Sequence, residues 1–234
     1  MKQRNCALLL LLGLLLATNV TANEFETGIY EAKRGHYKRA LPFIIASTIK
    51  GNPIAQVFLG LMYKNGKGVA QNLGEAIRLF ELAAKQGDAD GQYNLGSLYD
   101  NGLGVVVQNH KEAVKWYELS ASQGFIDAQL RLGLMYQYGQ GVTQSYTESE
   151  KWYRLAANQG DADAQLMLGL ANWSGQGIKQ DIIKAYMWTH IAATNGSHEA
   201  HLYQAKMNKK LSPKEIQQAL ELSQLCKANN YKDC

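Results

Sequence analysis

The chain has 234 residues, 46% hydrophobic and 19% charged, which is ample for a folded core and excludes a disordered or low-complexity protein. Its formal charge of +4 falls to about +2 when residues 1–22 are set aside, because that segment holds two of the 24 basic residues and none of the 20 acidic ones. This balance gives no electrostatic case for nucleic acid or a membrane surface as partner.

Residues 1–22 read as a secretory signal peptide. Lys2 and Arg4 form a basic start, Ala7 to Ala17 an apolar stretch, and Val20-Thr21-Ala22 a small-residue cleavage pattern. The rival reading, a membrane anchor, needs about 20 apolar residues, more than this run supplies. Cleavage predicts a periplasmic or extracellular protein without stable membrane insertion, and it removes Cys6.

Residues 23–52 read as a degenerate helical hairpin, with Gly35 at the turn and Tyr37 to Pro42 opening the second helix. Ser47 and Lys50 have the Ser-x-x-Lys spacing of penicillin-binding enzymes. Ser47 aligns, however, with Ala83, Ser120, Ala156 and Ala192, a small packing position, and the companion Ser-Asp-Asn and Lys-Thr-Gly elements are absent.

A repeat then occupies 53–88, 89–124, 125–160 and 161–196. Leu-Gly pairs at Gly60, Gly96, Gly133 and Gly169 are spaced 36, 37 and 36 residues apart, as are the Gly-x-Gly elements that begin at Gly66, Gly102, Gly139 and Gly175. In one copy Ala128, Leu132, Gly133 and Tyr136 share a helical face, and the small residues admit a close neighbour. The Gly-x-Gly ends this first helix. A second helix carries Ala113, Trp116 and Leu119, or their counterparts, on its packing face; Trp116, Trp152 and Trp188 are equivalent. Each copy is thus a helical hairpin whose apolar face its neighbours must cover. Asp88, Asp161 and Asp163 fall between hairpins, where they read as helix N-caps rather than catalytic carboxylates.

Residues 197–234 read as C-terminal capping helices. Ser212-Pro213-Lys214-Glu215 is a capping box with proline at the first helical position. Cys226 and Cys234 admit two readings, one disulfide closing a short loop or two unpaired thiols in a frayed tail. His198 and His201 are three apart, but no third metal ligand shows a matching spacing. Asn172-Trp173-Ser174 and Asn195-Gly196-Ser197 match glycosylation sequons.

The pattern Ala-Gln-x-x-Leu-Gly-x-x-Tyr-x-x-Gly-x-Gly-Val, nearly complete from Ala128 to Val142, resembles the Sel1-like repeat family, relatives of the tetratricopeptide repeat. The resemblance covers residues 53–196. It departs at Gly91, Asn172 and Ile178. It implies an all-α, right-handed solenoid of antiparallel helix pairs with terminal capping helices, serving as a non-catalytic protein-interaction scaffold or adaptor of the cell envelope. Its partner would be a protein or peptide bound on the concave face, which the first helices line; no cofactor or metal is implied.

On those helices the expected binding face carries Val57, Tyr93, Leu130 and Leu166, then Leu61, Ser97, Leu134 and Leu170, then Lys64, Asp100, Gln137 and Trp173. Tyr93, Trp173 and the varied Lys64, Asp100 and Gln137 are the stronger candidates. If the helix is instead packed on both sides, Val57, Leu130 and Leu166 are core. Two further functions stay open: a cell-wall-active or β-lactam-binding enzyme using Ser47, and a secreted host-interaction factor.

Overall fold

A computed structural model of the chain describes residues 24–104, 106–232 and 234, and every regular element among them is a helix. The expected signal segment lies outside the described residues. The chain divides between Gln108 and Asn109 into two compact units. In the first, residues 24–33 form α1, followed by α2 (Tyr37–Ile49), α3 (Pro53–Asn65), α4 (Leu73–Lys85) and α5 (Ala89–Asn101). In the second come α6 (His110–Ser122), α7 (Ile126–Tyr138), α8 (Tyr146–Ala157), α9 (Ala162–Ser174), α10 (Ile182–Thr194), α11 (His198–Met207) and α12 (Pro213–Ala228). Consecutive helices pack on one another from α2 to α5 and from α6 to α11, and α12 packs on α10.

Local signals set the helix ends. Asn52, Asp88 and Asp161 cap first helices through their side chains, each accepting from the backbone N–H three residues on. Asp163 is not a cap: it sits in the first turn of α9. The second helices α4, α6, α8 and α10 start on Asn72, Asn109, Ser145 and Asp181. Each first helix of the repeat ends on a glycine in the left-handed conformation, as at Gly139 with φ of 69°. The next glycine does different work. A β-carbon at Gly141 would lie 2.5 Å from the backbone carbon and oxygen of His110, the first residue of the preceding second helix. Gly68 and Gly177 meet the backbone of Tyr37 and Tyr146 in the same way, and Gly104 meets the Leu73 side chain at 3.0 Å.

The helical glycines have a packing cause as well. A β-carbon at Gly60 would meet the Phe80 ring at 2.7 Å, one at Gly133 the Tyr153 ring at 2.4 Å, and one at Gly169 the Thr189 methyl at 2.6 Å. This corrects part of the expected packing face of the second helix, in which Ala113 is buried as expected. The residue turned inward is the one after the tryptophan position: Phe80, Tyr117, Tyr153 and Thr189 are 0–2% exposed. Leu119, expected inside, is 48% exposed, and Trp116 and Trp152 are only half-buried. Trp188 alone among the three is fully buried.

The glutamine of the Ala-Gln pair, to which the sequence pattern assigns no task, is buried in all four repeats. Gln129 Nε2 donates to the Ala121 carbonyl (3.1 Å) at the end of the preceding helix, and Gln165 does the same to Ala157 (3.1 Å). Its carboxamide oxygen accepts from the residue that closes its own hairpin: Gln86 to Gln56 (2.7 Å), Gln159 to Gln129 (2.9 Å) and Asn195 to Gln165 (2.9 Å). Gln129 and Gln165 therefore each join three helices while satisfying a buried polar group that would otherwise cost about 1–3 kcal/mol.

At the C-terminus Ser212 and Glu215 form the expected reciprocal capping box. Cys226, in the last turn of α12, is bonded to Cys234. The short loop they close rests on α10: Lys184 Nζ donates to the Cys234 carbonyl (2.9 Å), and Asn195 Nδ2 to the Tyr231 hydroxyl (3.1 Å).

Candidate functional site

The first helices divide the expected binding residues by burial. Val57 is 3% exposed and Leu166 1%, so both are core and neither is available to a partner. Leu166 packs with Ala192, Ala193 and Ala200, with Leu170 and Tyr203 at the edge of that cluster. Leu130 is half-buried against the core of the second unit. The apolar residues at this position therefore face inward because the helix is packed on both sides. Lys64, Tyr93 and Asp100 stand on α3 and α5 of the first unit, each half-buried.

Gln137 and Trp173, from α7 and α9, are brought together. They line a cleft of about 240 Å³ in the second unit, whose walls include Met167, Leu170, Tyr146 and Glu150. The Tyr153 hydroxyl, beside them, donates to Gln137 Oε1 at 2.7 Å and so orients the carboxamide at the cleft. Burial pushes the Tyr153 phenol above its ordinary value, which keeps it a donor at neutral pH. Glu150 is held by Arg154, whose Nε donates to it at 2.7 Å, so its charge is compensated locally. Lys210 Nζ lies 5.4 Å from the centre of the Trp173 ring. The cleft thus offers an aromatic and aliphatic wall, one oriented carboxamide and a cation at its rim, features that suit an inserted side chain of a peptide.

A second repeated feature escaped the sequence pattern. Gln71, Gln108, Gln144 and Gln180 each donate from Nε2 to the carbonyl of Lys64, Asp100, Gln137 and Trp173, at 2.7–2.9 Å. The variable face residue at the end of each first helix is held by its backbone, which leaves its side chain free to differ between copies. The signal was present as a glutamine recurring at 37, 36 and 36 residues, in the loop after Gly-x-Gly.

The remaining chemical motifs do not assemble. Ser47 is 3% exposed, and the Lys50 ammonium is paired with Glu24 at 2.5 Å, so this Ser-x-x-Lys pair lacks the nucleophile–base contact that an acyl transfer requires. His198 and His201 lie edge to face, 6.4 Å between ring centres, and among the described residues no group of three ligands could hold a metal ion. Asn172 is 4% exposed and donates to Leu168, while Asn195 is engaged with Gln165 and Tyr231, so neither sequon offers a free carboxamide. No helix among the described residues is long and apolar enough to cross a membrane.

The model of the Sel1 repeat matches residues 53–88, 89–125, 126–161 and 162–197. No curated protein matches the chain. Among solved structures, a Sel1 repeat protein from Oxalobacter formigenes is 36% identical with a TM-score of 0.72, over 78% of this chain and 74% of that one. A protective antigen of uropathogenic Escherichia coli displaying an SLR fold is 29% identical with a TM-score of 0.54, over 83% of this chain and 50% of that one. An immunity protein from Pseudomonas aeruginosa, 18% identical with a TM-score of 0.54 over 90% and 80% of the two chains, shares the fold. Four matched repeats, with the glycine contacts and buried glutamines that give each motif position its task, make this chain a member of the Sel1 repeat family.

Proposed function

We propose that the chain is a non-catalytic interaction scaffold that holds an extended segment of a partner protein on the first helices of its second unit, in the periplasm or outside the cell. The Sel1 repeat fold generally serves protein interaction. The single observation that carries the reading here is the cleft where Trp173 and Gln137 meet over Tyr153. An oxidising location is supported by the Cys226–Cys234 bond and by the signal-like segment at residues 1–22.

A photo-crosslinking amino acid placed at Ser174, on the cleft wall, tests it against the same group at Lys115, on the exposed face of α6. In cells that make the protein natively, position 174 is expected to yield one discrete adduct and position 115 none. Identical patterns from both positions, or no adduct at 174, would remove the cleft as the partner site.

A further inference from the structure

The first-helix rows do not stop with the fourth matched repeat. Ala200 of α11 follows Ala128 and Ala164 at the same 36-residue spacing, and all three are fully buried. Continuing the face by the same step takes Leu134 and Leu170 to Lys206, and Gln137 and Trp173 to Lys209. The face that is aliphatic and aromatic on α7 and α9 therefore becomes cationic at and just beyond α11.

Lys206 and the neighbouring Lys210 each lie near an aromatic ring. Lys206 Nζ lies 4.9 Å from the centre of the Tyr203 ring, and Lys210 Nζ 5.4 Å from that of Trp173. Tyr203 in turn packs on the same Leu166–Ala200 cluster as Leu170, a wall of the cleft. From Ala200 to Lys214 the sequence has four lysines and no acidic residue. Glu215, which follows, is engaged by the Ser212 N–H and hydroxyl, both at 2.8 Å. Lys206, Lys209, Lys210 and Lys214 are exposed, and none is paired with a carboxylate among the described residues. The mature chain is close to neutral, so this concentration of uncompensated charge beside one cleft is local.

We propose that this face selects an acidic, extended peptide. An aromatic or aliphatic side chain of the peptide enters the cleft against Trp173 and Leu170, while Asp or Glu residues next to it pair with Lys206, Lys209 and Lys210. The inference rests on the reading of the cleft as the partner site and adds its chemistry. Individual exposed ion pairs contribute little affinity, so the lysines act chiefly on selection among partners and on the rate of encounter.

The test uses residues 23–234 and a displayed library of random nonapeptides, with affinities of enriched peptides measured by fluorescence anisotropy. The expected peptides carry one aromatic or aliphatic residue flanked by Asp or Glu. The double variant Lys206→Glu, Lys210→Glu is expected to weaken them about tenfold or more and to reselect Lys- or Arg-flanked peptides; Trp173→Ala weakens both sets. Binding of the acidic set should also fall as salt is raised, as charge pairing requires. Peptides that depend on Trp173 but show no acidic bias would overturn this inference and leave the cleft as a partner site. No Trp173-dependent peptide at all would overturn both. Lysine-dependent binding to phosphatidylglycerol vesicles that Trp173→Ala leaves unchanged, with no acidic peptide selected, would assign the patch to a lipid surface instead and overturn the proposal.

Discussion

Gly141 and Gly124 have nearly the same backbone twist, with φ of +73° and +88°, but different surroundings. A β-carbon at Gly124 meets open space, whereas one at Gly141 runs into the His110 backbone. Gly141→Ala should therefore cost about 1–3 kcal/mol more than Gly124→Ala, since overpacking adds to a similar backbone penalty. Urea denaturation of the two variants checks this; equal losses would mean the inter-repeat contact has no packing role. The first glycine of each Gly-x-Gly was legible as a helix stop because that task is local. The second was not, because its neighbour lies about 30 residues upstream and only the folded pair shows it. The buried glutamines escaped for the same reason: Gln129 takes its meaning from Ala121 and Gln159, one on each side of it in sequence.

Among the elements, α12 is the most fully legible in the sequence, since Ser212, Pro213 and Glu215 are a contiguous signal. The second helices are less legible. A tryptophan recurring at Trp116, Trp152 and Trp188 drew the packing face toward itself, while the ring that covers the helical glycine belongs to the next residue, as Tyr153 shows over Gly133. One residue along a helix turns the side chain by about 100°, so a face centred on the tryptophan position keeps Ala113 inside but wrongly places Leu119 there. For α12 the disulfide supplies a direct measurement. Closing a loop of this length is worth about 2–3 kcal/mol in the chain-entropy model. Cys234→Ser should lower the stability of the oxidised protein by roughly that amount and speed amide exchange in the last turn of α12, with little change when both proteins are compared under reduction. Equal stability of the oxidised pair would show that the Lys184 and Tyr231 contacts hold the tail without it.

For the whole molecule, the 36-residue period gave the fold class and the order of helices, while the division between Gln108 and Asn109 cuts the second repeat between α5 and α6 and has no counterpart in the motif. One global property follows from a single side chain. His190 is held below the ordinary histidine value, first by burial and then by Lys227 and His201. The unfolded chain therefore takes up this proton more readily than the folded one. The contribution of His190 is constant above the unfolded value near ~6.5 and is lost as pH falls through that value toward the folded one. His190→Gln should flatten the fall in stability between about pH 7 and 5, measured by urea midpoints; an unchanged slope would show that the imidazole titrates alike in both states. The side-chain bonds from Gln86 to Gln56, Gln159 to Gln129 and Asn195 to Gln165 all span 30 residues. Such a rule acts like a reading frame for evolution. Copies can be gained or lost by unequal crossing-over only where the joint restores the phase of these bonds, so viable descendants of this gene should differ by whole repeats, with odd-length changes absorbed in loops, as the one extra residue of the second copy is between Gly102 and Gln108.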